Sequence, residues 1–228
     1  MNITNDIITA YLDSLYRSEN EDLGRLREYG EDNMYHIILK DTEDLLRVIT
    51  KIYEPKRILE IGTAIGYSAI FFASICDTFV TTIEANADKC VAAESNIRQF
   101  GFEEEIQVIH GDGLHVLQKL QEEMQALDEN EREDRKYDLV FIDAAKSHYL
   151  EFWEAALPLV KKHSLIICDN VLMRGTTASK IYDPKNKHRT SIRHMREFLS
   201  YIKHLDYAET TILPVGDGVS ISLLTLHE

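Results

Sequence analysis

The sequence is poor in the features that mark secreted, zinc-binding and membrane proteins. Its three cysteines, Cys76, Cys90 and Cys168, are scattered along 228 residues, which argues against a disulfide framework or a zinc site. No apolar run approaches the roughly 20 residues that span a bilayer. The N-terminus lacks the basic start and apolar stretch of a signal peptide. We therefore expect a cytoplasmic protein in a reducing compartment, without a membrane partner.

Positive charge is also scarce. The chain has 25 lysines and arginines against 39 aspartates and glutamates, which gives a formal net charge of -14. This balance opposes nonspecific binding to nucleic acid, so an RNA partner would need a locally basic surface. The length suits one large α/β domain. We expect a single domain over residues 1–228, with a helical extension or lid over residues 1–55.

Short apolar runs alternate with helical periodicity along the chain. Continuous runs rich in β-branched residues are typical of parallel strands buried on both faces; strong ones cover 57–61, 79–84, 138–143 and 164–169, and a weaker one covers 106–109. Apolar residues three and four positions apart predict helices between them, over 67–74, 89–100, 113–124 and 149–160. Two further runs, 207–213 and 219–226, predict a C-terminal β-hairpin.

This alternation predicts a doubly wound, mostly parallel, seven-stranded Rossmann-like α/β sheet with a C-terminal antiparallel hairpin and N-terminal helices. The N-terminal helices carry one apolar stripe, formed by Ile7, Ile8, Tyr11, Leu12, Leu15 and Tyr16. A dimer interface, a lid and a core role are alternatives for this stripe, and we expect a homodimer. The charged stretch 121–136 is interpreted as a solvated helix extension or a loop.

A glycine motif lies where the first strand turns into a helix, in Glu60-Ile61-Gly62-Thr63-Ala64-Ile65-Gly66-Tyr67-Ser68. Gly62 permits a tight turn, and Gly66 permits a ligand to approach the start of the helix. The G-x-x-x-G spacing differs from the G-x-G-x-x-G that binds a dinucleotide pyrophosphate. Glu60 would repel a pyrophosphate. The motif therefore favours a cationic ligand and disfavours a dehydrogenase.

Acidic residues follow the second and third strands. Glu84 can accept hydrogen bonds from ribose hydroxyls, and Asp112 can accept one from an adenine amino group. Either residue alone could be an ordinary helix cap. Together with Glu60, at successive strand ends, they predict a pocket for a positively charged nucleoside such as S-adenosylmethionine.

Hard oxygen ligands follow the next two strong strands. Asp143 ends one strand, and Asp169-Asn170 follows the other. Two carboxylates and an amide oxygen suit Mg²⁺ better than zinc. A cation on an acceptor hydroxyl lowers its pKa, and Lys146 could then take its proton. The alternative is structural: Asp143 caps a helix, Asp169-Asn170 forms a turn and Lys146 is a surface charge.

At these residues the chain resembles the cation-dependent O-methyltransferases, the family of the catechol and caffeoyl-CoA enzymes. The resemblance runs from about Met34 onward and is carried by ILEIGTAIGYSAI (58–70), YDLVFIDAAKSHYLEFWE (137–154), IICDNVLMRG (166–175) and ILPVGDGVSIS (212–222). It implies Lys146 and Asp143 as catalytic residues and a Mg²⁺ or another hard divalent cation held by Asp143, Asp169 and Asn170. It implies S-adenosylmethionine as the cofactor, at a site assigned to Glu60, Gly62, Thr63, Gly66, Tyr67, Ser68, Glu84, Asp112, Gly113 and Asp143.

Three of these segments are most similar to the bacterial branch that methylates 5-hydroxyuridine at the tRNA wobble position to 5-methoxyuridine. The stretch 174–203 holds eight basic residues, Lys185 and Lys187 among them, against two acidic ones. It could guide a phosphate backbone to the site, or it could be a solvated helix face over 191–201. The residues expected at the acceptor are Tyr35, His36, Met173, Arg174, Tyr182, Arg189, Arg193 and Arg196.

Three functions therefore stand as alternatives. The first is methylation of 5-hydroxyuridine in tRNA, and the second is methylation of a small catechol-like molecule. Both predict the same cofactor and metal sites, but only the first needs the basic segment at the mouth of the active site. The third is a noncatalytic nucleotide-binding or dimerisation module, which predicts no metal dependence and gives no reason for Lys146 beside Asp143.

Overall fold

The computed structural model describes residues 6–183 and 188–225, and its strands form one sheet. They are β1 (Arg57–Ile61), β2 (Phe79–Glu84), β3 (Ile106–His110), β4 (Tyr137–Ile142), β5 (Val160–Cys168), β6 (Ala208–Leu213) and β7 (Val219–Leu224). Their spatial order is β3-β2-β1-β4-β5-β7-β6. The first five pair in parallel, and β7 runs antiparallel to both β5 and β6. The predicted α/β fold with a C-terminal antiparallel hairpin is confirmed.

Helices cover both faces of this sheet. They are α1 (Asp6–Leu15), α2 (Glu21–Asp32), α3 (Lys40–Tyr53), α4 (Tyr67–Ile75), α5 (Ala87–Phe100), α6 (Gly113–Gln125), α7 (Glu129–Arg135), α8 (Tyr149–Ala156) and α9 (Arg189–Lys203). On one face α6, α8 and α9 bury a cluster that contains Trp153 and Phe198. On the other, α2 to α5 bury a cluster that contains Phe71 and Phe72. Burial on both faces explains why the central strands are continuous apolar runs.

Two predicted boundaries on either side of Pro158 were wrong. The helix predicted over 149–160 ends at Ala156, and a short 3₁₀ turn, Leu157–Leu159, follows it. Strand β5 then begins at Val160, before the predicted start at residue 164. Proline has no backbone N–H and cannot continue an α-helix without losing a hydrogen bond. The early part of β5 pairs irregularly with β4, since the register shifts between Tyr137 and Leu139.

The charged stretch 121–136 contains the end of α6 and the short helix α7. No residue of α7 is buried. Asp128 caps this helix by accepting a hydrogen bond from the backbone N–H of Glu131 at 3.0 Å. The interpretation as solvated helix is therefore confirmed, although a break at residues 126–128 separates α7 from α6.

The N-terminal helices attach to the sheet through α2 and α3 rather than through the stripe on α1. On α1, Tyr11 and Leu15 are 62% and 57% exposed, so the part of the stripe on this helix is not in the core of a single chain. Tyr16, which follows α1, is half-buried and donates to Glu43 at 2.8 Å. Arg27 of α2 and Glu43 of α3 are both buried and form an ion pair at 2.5 Å. No helix in the described ranges is long and apolar enough to cross a membrane.

Candidate active site

The ends of the central parallel strands converge at one edge of the sheet. The residues that follow β1, β4 and β5 are Gly62, Asp143 and Asp169. Each donates its backbone N–H to a carbonyl near the end of the neighbouring strand, at 2.9 to 3.0 Å. The strands therefore end at the same level, and the side chains that follow them meet. This is the edge at which parallel α/β sheets bind ligands.

The glycine loop between β1 and α4 passes close to the end of β4. Gly62 has a φ of 109°, and a Cβ there would lie 2.1 Å from the carbonyl oxygen of Asp143. Gly66 has a φ of 83° and immediately precedes α4. Both positions need the left-handed backbone that glycine adopts at little cost. The loop thus brings its backbone beside Asp143, as the sequence motif requires.

Glu60 lies beneath this loop with no exposed surface. Ser68 donates a hydrogen bond to one carboxyl oxygen, and Thr82 donates to the other at 2.5 Å. Burial raises the pKa of Glu60 to about 7, although both hydrogen bonds act in the opposite direction. In this structure the side chains of Glu60 and Ser68 therefore contact each other, and their assignment to the cofactor stays a prediction.

Tyr67 and Thr63 also have protein partners. The Tyr67 hydroxyl donates to Glu43 at 2.6 Å and accepts from Arg27 at 3.0 Å. Thr63 shares a hydrogen bond of 2.6 Å with Thr82. Both side chains are buried. The structure thus ties the first residue of α4 to the N-terminal helices, and the predicted cofactor contacts of Tyr67 and Thr63 are untested.

The two predicted ribose and adenine acceptors lie at neighbouring strand ends. Glu84 accepts from the backbone N–H of Ala64, in the glycine loop, at 2.9 Å. Asp112 is exposed and caps α6 by accepting from the N–H of His115 at 3.1 Å. Asp112 is therefore a helix cap, which was the alternative role that the sequence allowed for it. Gly113 begins α6, where a Cβ would lie 2.8 Å from the ring of Phe152.

Lys146 lies at the centre of a polar cluster beside the glycine loop. Its Nζ donates to Asp143 Oδ1 and to Asn170 Oδ1, each at 2.7 Å. Its third hydrogen bond, at 2.8 Å, goes to the hydroxyl of Tyr149. The three predicted residues Asp143, Lys146 and Asn170 are thus in direct contact. A surface role for Lys146 is excluded, because its side chain is only 24% exposed.

Asp169 adds a carboxylate to this cluster, and among the described residues only one of its two oxygens accepts a hydrogen bond. Its Oδ1 accepts from the backbone N–H of Asn170 at 2.7 Å. Its Oδ2 is buried and has no hydrogen-bond partner among the described residues. Burial and the nearby charge of Asp143 raise the pKa of Asp169 to about 8. A buried oxygen without a partner is costly, so this atom is suited to a positively charged ligand.

The cluster fits a hard divalent cation. Asp143, Asp169 and Asn170 offer carboxylate and amide oxygens, which Mg²⁺ prefers. The ammonium group of Lys146 bridges two of these residues, so a positive charge already stands between them. The described ranges contain no group of three or more His, Cys, Asp or Glu side chains that could hold a metal. The predicted site has two acids and an amide, and its metal remains a prediction.

The predicted acceptor residues Met173, Arg174 and Tyr182 follow the predicted metal ligands Asp169 and Asn170 in the chain. Met173 and Arg174 adopt left-handed backbone angles, with φ of 48° and 54°. The N–H of Arg174 donates to the carboxylate of Asp217, in the turn between β6 and β7. The ring of Tyr182 packs where a side chain on Gly175 would lie. This loop therefore has a defined shape beside the cluster.

Four of the eight basic residues of the stretch 174–203 line a surface cavity of about 600 Å³ next to that loop, whereas Arg174 and Lys203 are not part of its lining. Its cationic walls come from Lys180, Arg189, Arg193 and Arg196, with Asp183 and Glu197 on the same lining. Lys185 and Lys187, counted with them in the sequence, lie outside the described residues.

Tyr35 and His36 lie apart from this cavity. Tyr35 stacks on Tyr29 with ring centroids 6.1 Å apart, and His36 is exposed. Within the described ranges, neither residue forms a hydrogen bond or ring contact with the Lys146 cluster. Their predicted stacking on an acceptor base stays a prediction.

Sequence reasoning missed two residues of the site. Tyr149 follows Lys146 by three positions, a spacing that places two side chains on one helical face. That spacing could have identified it. Asp217 lies in the turn before β7, far away in sequence, and burial is the main reason that its pKa is raised. Only the pairing of β7 with β5 brings Asp217 to this edge.

Comparison with known proteins agrees with this geometry. The model of the O-methyltransferase family matches residues 14–225. Caffeoyl-CoA O-methyltransferase 1 of Zea mays is 29% identical over 227 residues, which cover 96% of this chain and 84% of the maize protein. This match confirms the predicted enzyme class.

Solved structures agree as well. A Staphylococcus aureus protein provisionally assigned as a caffeoyl-CoA O-methyltransferase has a TM-score of 0.85 and 32% identity, covering 96% of this chain and 99% of its own. The O-methyltransferase TomG of Streptomyces achromogenes, involved in tomaymycin synthesis and solved with S-adenosylmethionine, has a TM-score of 0.78. It shares 24% identity, and the match covers 96% of both chains; at this identity the likeness concerns the fold. By its sequence match over nearly the whole length, the chain belongs to the O-methyltransferase family.

Proposed function

We propose that this O-methyltransferase transfers a methyl group from S-adenosylmethionine to a hydroxyl oxygen beside a bound Mg²⁺ or similar cation. The observation that carries the proposal is the cluster in which Lys146 contacts Asp143 and Asn170, while Asp169 Oδ2 has no hydrogen-bond partner in the part of the chain that the structure describes. The cluster adjoins the glycine loop between β1 and α4. Beside this loop, β2 ends at Glu84, and Asp112 follows the end of β3. A sulfonium nucleoside held along those strand ends would lie next to the cluster.

Different residues of the chain would bind the cofactor, hold the cation and accept the proton. Glu84 and Asp112 would accept hydrogen bonds from the ribose and the adenine, and the loop at Gly62 would let the methyl donor approach Asp143 closely. Asp143, Asp169 and Asn170 would hold the cation. A bound divalent cation lowers the pKa of an acceptor hydroxyl and fixes its position. Lys146 Nζ, as the neutral amine left after its ammonium group has given a proton to solvent, would accept the proton that this hydroxyl loses.

Removal of the metal tests this proposal. We expect EDTA to abolish methyl transfer and excess Mg²⁺ to restore it. Asp169→Asn should raise the Mg²⁺ concentration needed for half-maximal rate, because it removes one anionic ligand. Asp134→Asn, an exposed position on α7, is the matched control and should behave as the wild type. Unchanged activity in EDTA would contradict the metal assignment.

For the acceptor we propose 5-hydroxyuridine at the tRNA wobble position, with 5-methoxyuridine as the product. Support comes from the cationic cavity and from its connection to the site through α9. Arg196 Nε donates to the carbonyl of Thr177 at 2.6 Å, in the loop after the metal ligands. His194 Nδ1 lies 3.0 Å from the carbonyl of Ser147, next to Lys146. A phosphate backbone bound at the cavity would therefore lie beside both loops of the site.

A small hydroxylated molecule is the alternative acceptor. The relatives favour it, because they include a caffeoyl-CoA O-methyltransferase of Zea mays and an O-methyltransferase involved in tomaymycin synthesis. The noncatalytic alternative has no such support. Three incubations with methyl-labelled cofactor distinguish the acceptors. They contain tRNA carrying 5-hydroxyuridine, the same tRNA without it, or a panel of catechols. We expect label only in the hydroxylated tRNA; label in catechols alone would reverse the choice.

We also propose that the protein is a cytoplasmic homodimer. Ile8, Tyr11 and Leu15 of α1 are exposed, and so are Val48 and Ile52 of the neighbouring helix α3, at 58% and 80%. Burying a contiguous apolar surface favours association. Sedimentation velocity should give twice the chain mass, and Tyr11→Asp with Leu15→Asp should give a monomer. A wild-type monomer would contradict the dimer.

A further inference from the structure

We propose that Tyr149 is a positioning residue that keeps Lys146 at the site when a divalent cation takes the oxygens of Asp143 and Asn170. This inference rests on the metal site proposed above. It concerns a residue that the methyl-transfer chemistry itself does not use. Tyr149 acts through Lys146 and is therefore distinct from the catalytic and metal-binding residues.

The hydroxyl of Tyr149 connects the lysine with the backbone of a metal ligand. It accepts a hydrogen bond from Lys146 Nζ at 2.8 Å and donates one to the carbonyl oxygen of Asp169 at 2.9 Å. Donating to the carbonyl orients the oxygen lone pairs toward the ammonium group. One hydroxyl thus fixes Lys146 relative to Asp169.

The ring of Tyr149 cannot easily move away from this position. The side chain is 1% exposed. It packs edge-on against the ring of Phe198 in α9, with centroids 5.7 Å apart and an interplanar angle of 86°. The Nζ of Lys146 lies 5.2 Å from the centre of the Tyr149 ring. The hydroxyl is therefore a fixed acceptor on a rigid element, as positioning requires.

The three partners of Lys146 respond differently to a metal. Asp143 and Asn170 are proposed metal ligands, so a cation competes with the ammonium group for their oxygens. The phenol of Tyr149 is not a proposed ligand and stays available. Without it, Lys146 would depend more strongly on Asp143 and Asn170 and would compete more strongly with the cation. Loss of this hydroxyl should therefore weaken metal binding, but only while Lys146 is present.

A double-mutant cycle on Mn²⁺ binding tests this coupling. Free Mn²⁺ is measured by electron paramagnetic resonance in titrations of the wild type, Tyr149→Phe, Lys146→Met and the double variant. We expect Tyr149→Phe to raise the Mn²⁺ dissociation constant about tenfold, the size of one hydrogen bond to a charged group. In the Lys146→Met background the same substitution should change it less than twofold. A purely structural loss would appear equally in both backgrounds.

The control is Tyr137→Phe. Tyr137 is also buried, and its hydroxyl donates to Thr81 at 3.1 Å, outside the cluster. This variant should bind Mn²⁺ like the wild type. Equal weakening by Tyr149→Phe in both backgrounds, or weakening in neither, would overturn the role of Tyr149 while leaving the metal site intact. A wild type that binds no Mn²⁺ would overturn the metal site and this inference with it.

Discussion

At the scale of single residues, Glu60 makes the stability of the protein depend on pH. Its pKa of about 7 lies above its ordinary value of 4.5, because burial disfavours the charged form. The folded state therefore holds this proton more tightly than the unfolded chain. The contribution of Glu60 to the free energy of unfolding is fully present below about pH 4.5 and is lost as the pH rises through about 7. The loss amounts to roughly 3 kcal/mol at most.

Glu60→Gln should remove this dependence. The amide has no charge to bury, and the hydroxyls of Ser68 and Thr82 can reorient to pair with it. We expect the variant to be more stable than the wild type at pH 8 and to lose this advantage at pH 5. Urea denaturation at the two pH values measures the difference. Glu209→Gln, an exposed position on β6, controls for the loss of one charge. An advantage of equal size at both pH values would contradict the prediction.

Lys146 gives a second prediction at this scale. Lys146→Met should reduce turnover by about 10² to 10⁴, the usual contribution of a positioned acid or base. Affinity for the methyl donor should change little, because most of the predicted cofactor contacts lie on the glycine loop and on Glu84 and Asp112, although Asp143 is also a contact of Lys146. Single-turnover kinetics and calorimetric titration with the cofactor separate the two effects. Equal losses in both measurements would assign Lys146 to cofactor binding instead.

At the scale of elements, the β1–α4 loop depends on its close approach to β4. Gly62→Ala would place a Cβ 2.1 Å from the Asp143 carbonyl oxygen. Gly101 also has a positive φ, of 73°, but no atom lies within 4 Å of a Cβ built there. Gly101→Ala should therefore cost only about 1 kcal/mol for the backbone conformation, and Gly62→Ala should cost clearly more. Chemical denaturation of both variants measures the contrast, and equal costs would contradict it.

Elements are also where sequence reasoning was most accurate. Strands β1, β2, β4 and β5 were predictable because helices cover both of their faces, which requires unbroken apolar runs. Glycines and acids at the strand ends could be ordered because parallel strands finish at one edge. The end of α8 was misplaced, since helical periodicity continues through Pro158 although the backbone hydrogen bonds do not.

The contacts between side chains could not be predicted in this way. Periodicity places Glu60 at a strand end, but it does not reveal that Ser68 and Thr82 already occupy both of its oxygens. Asp217 is distant in sequence from Asp143 and reaches the site only through an antiparallel pairing. The sequence therefore located the site and its acids, whereas the hydrogen-bond partners of each acid required coordinates.

At the scale of the whole molecule, charge is distributed unevenly. The net charge is -14, yet four cationic side chains converge on the cavity beside α9. On the opposite face of the sheet, Arg25 of α2 pairs with Asp22 at 2.5 Å. A polyanion would therefore be repelled by most of the surface and attracted at the cavity. This contrast makes RNA binding testable by its dependence on salt.

The double variant Arg189→Ala with Arg193→Ala should bind tRNA more weakly, and its binding should depend less steeply on salt concentration. Each phosphate contact contributes about 0.7 to 0.9 to the slope of log K against log salt, so the pair should reduce the slope by about 1.5. Arg25→Ala with Arg98→Ala removes the same charge from helices on the opposite face and should leave the slope almost unchanged. Filter binding across a series of salt concentrations gives both slopes. Arg196 is left intact, because it also holds the carbonyl of Thr177. Equal changes of the slope for the two double variants would mean that tRNA binding depends only on net charge. That result would exclude the cavity as the tRNA-binding surface.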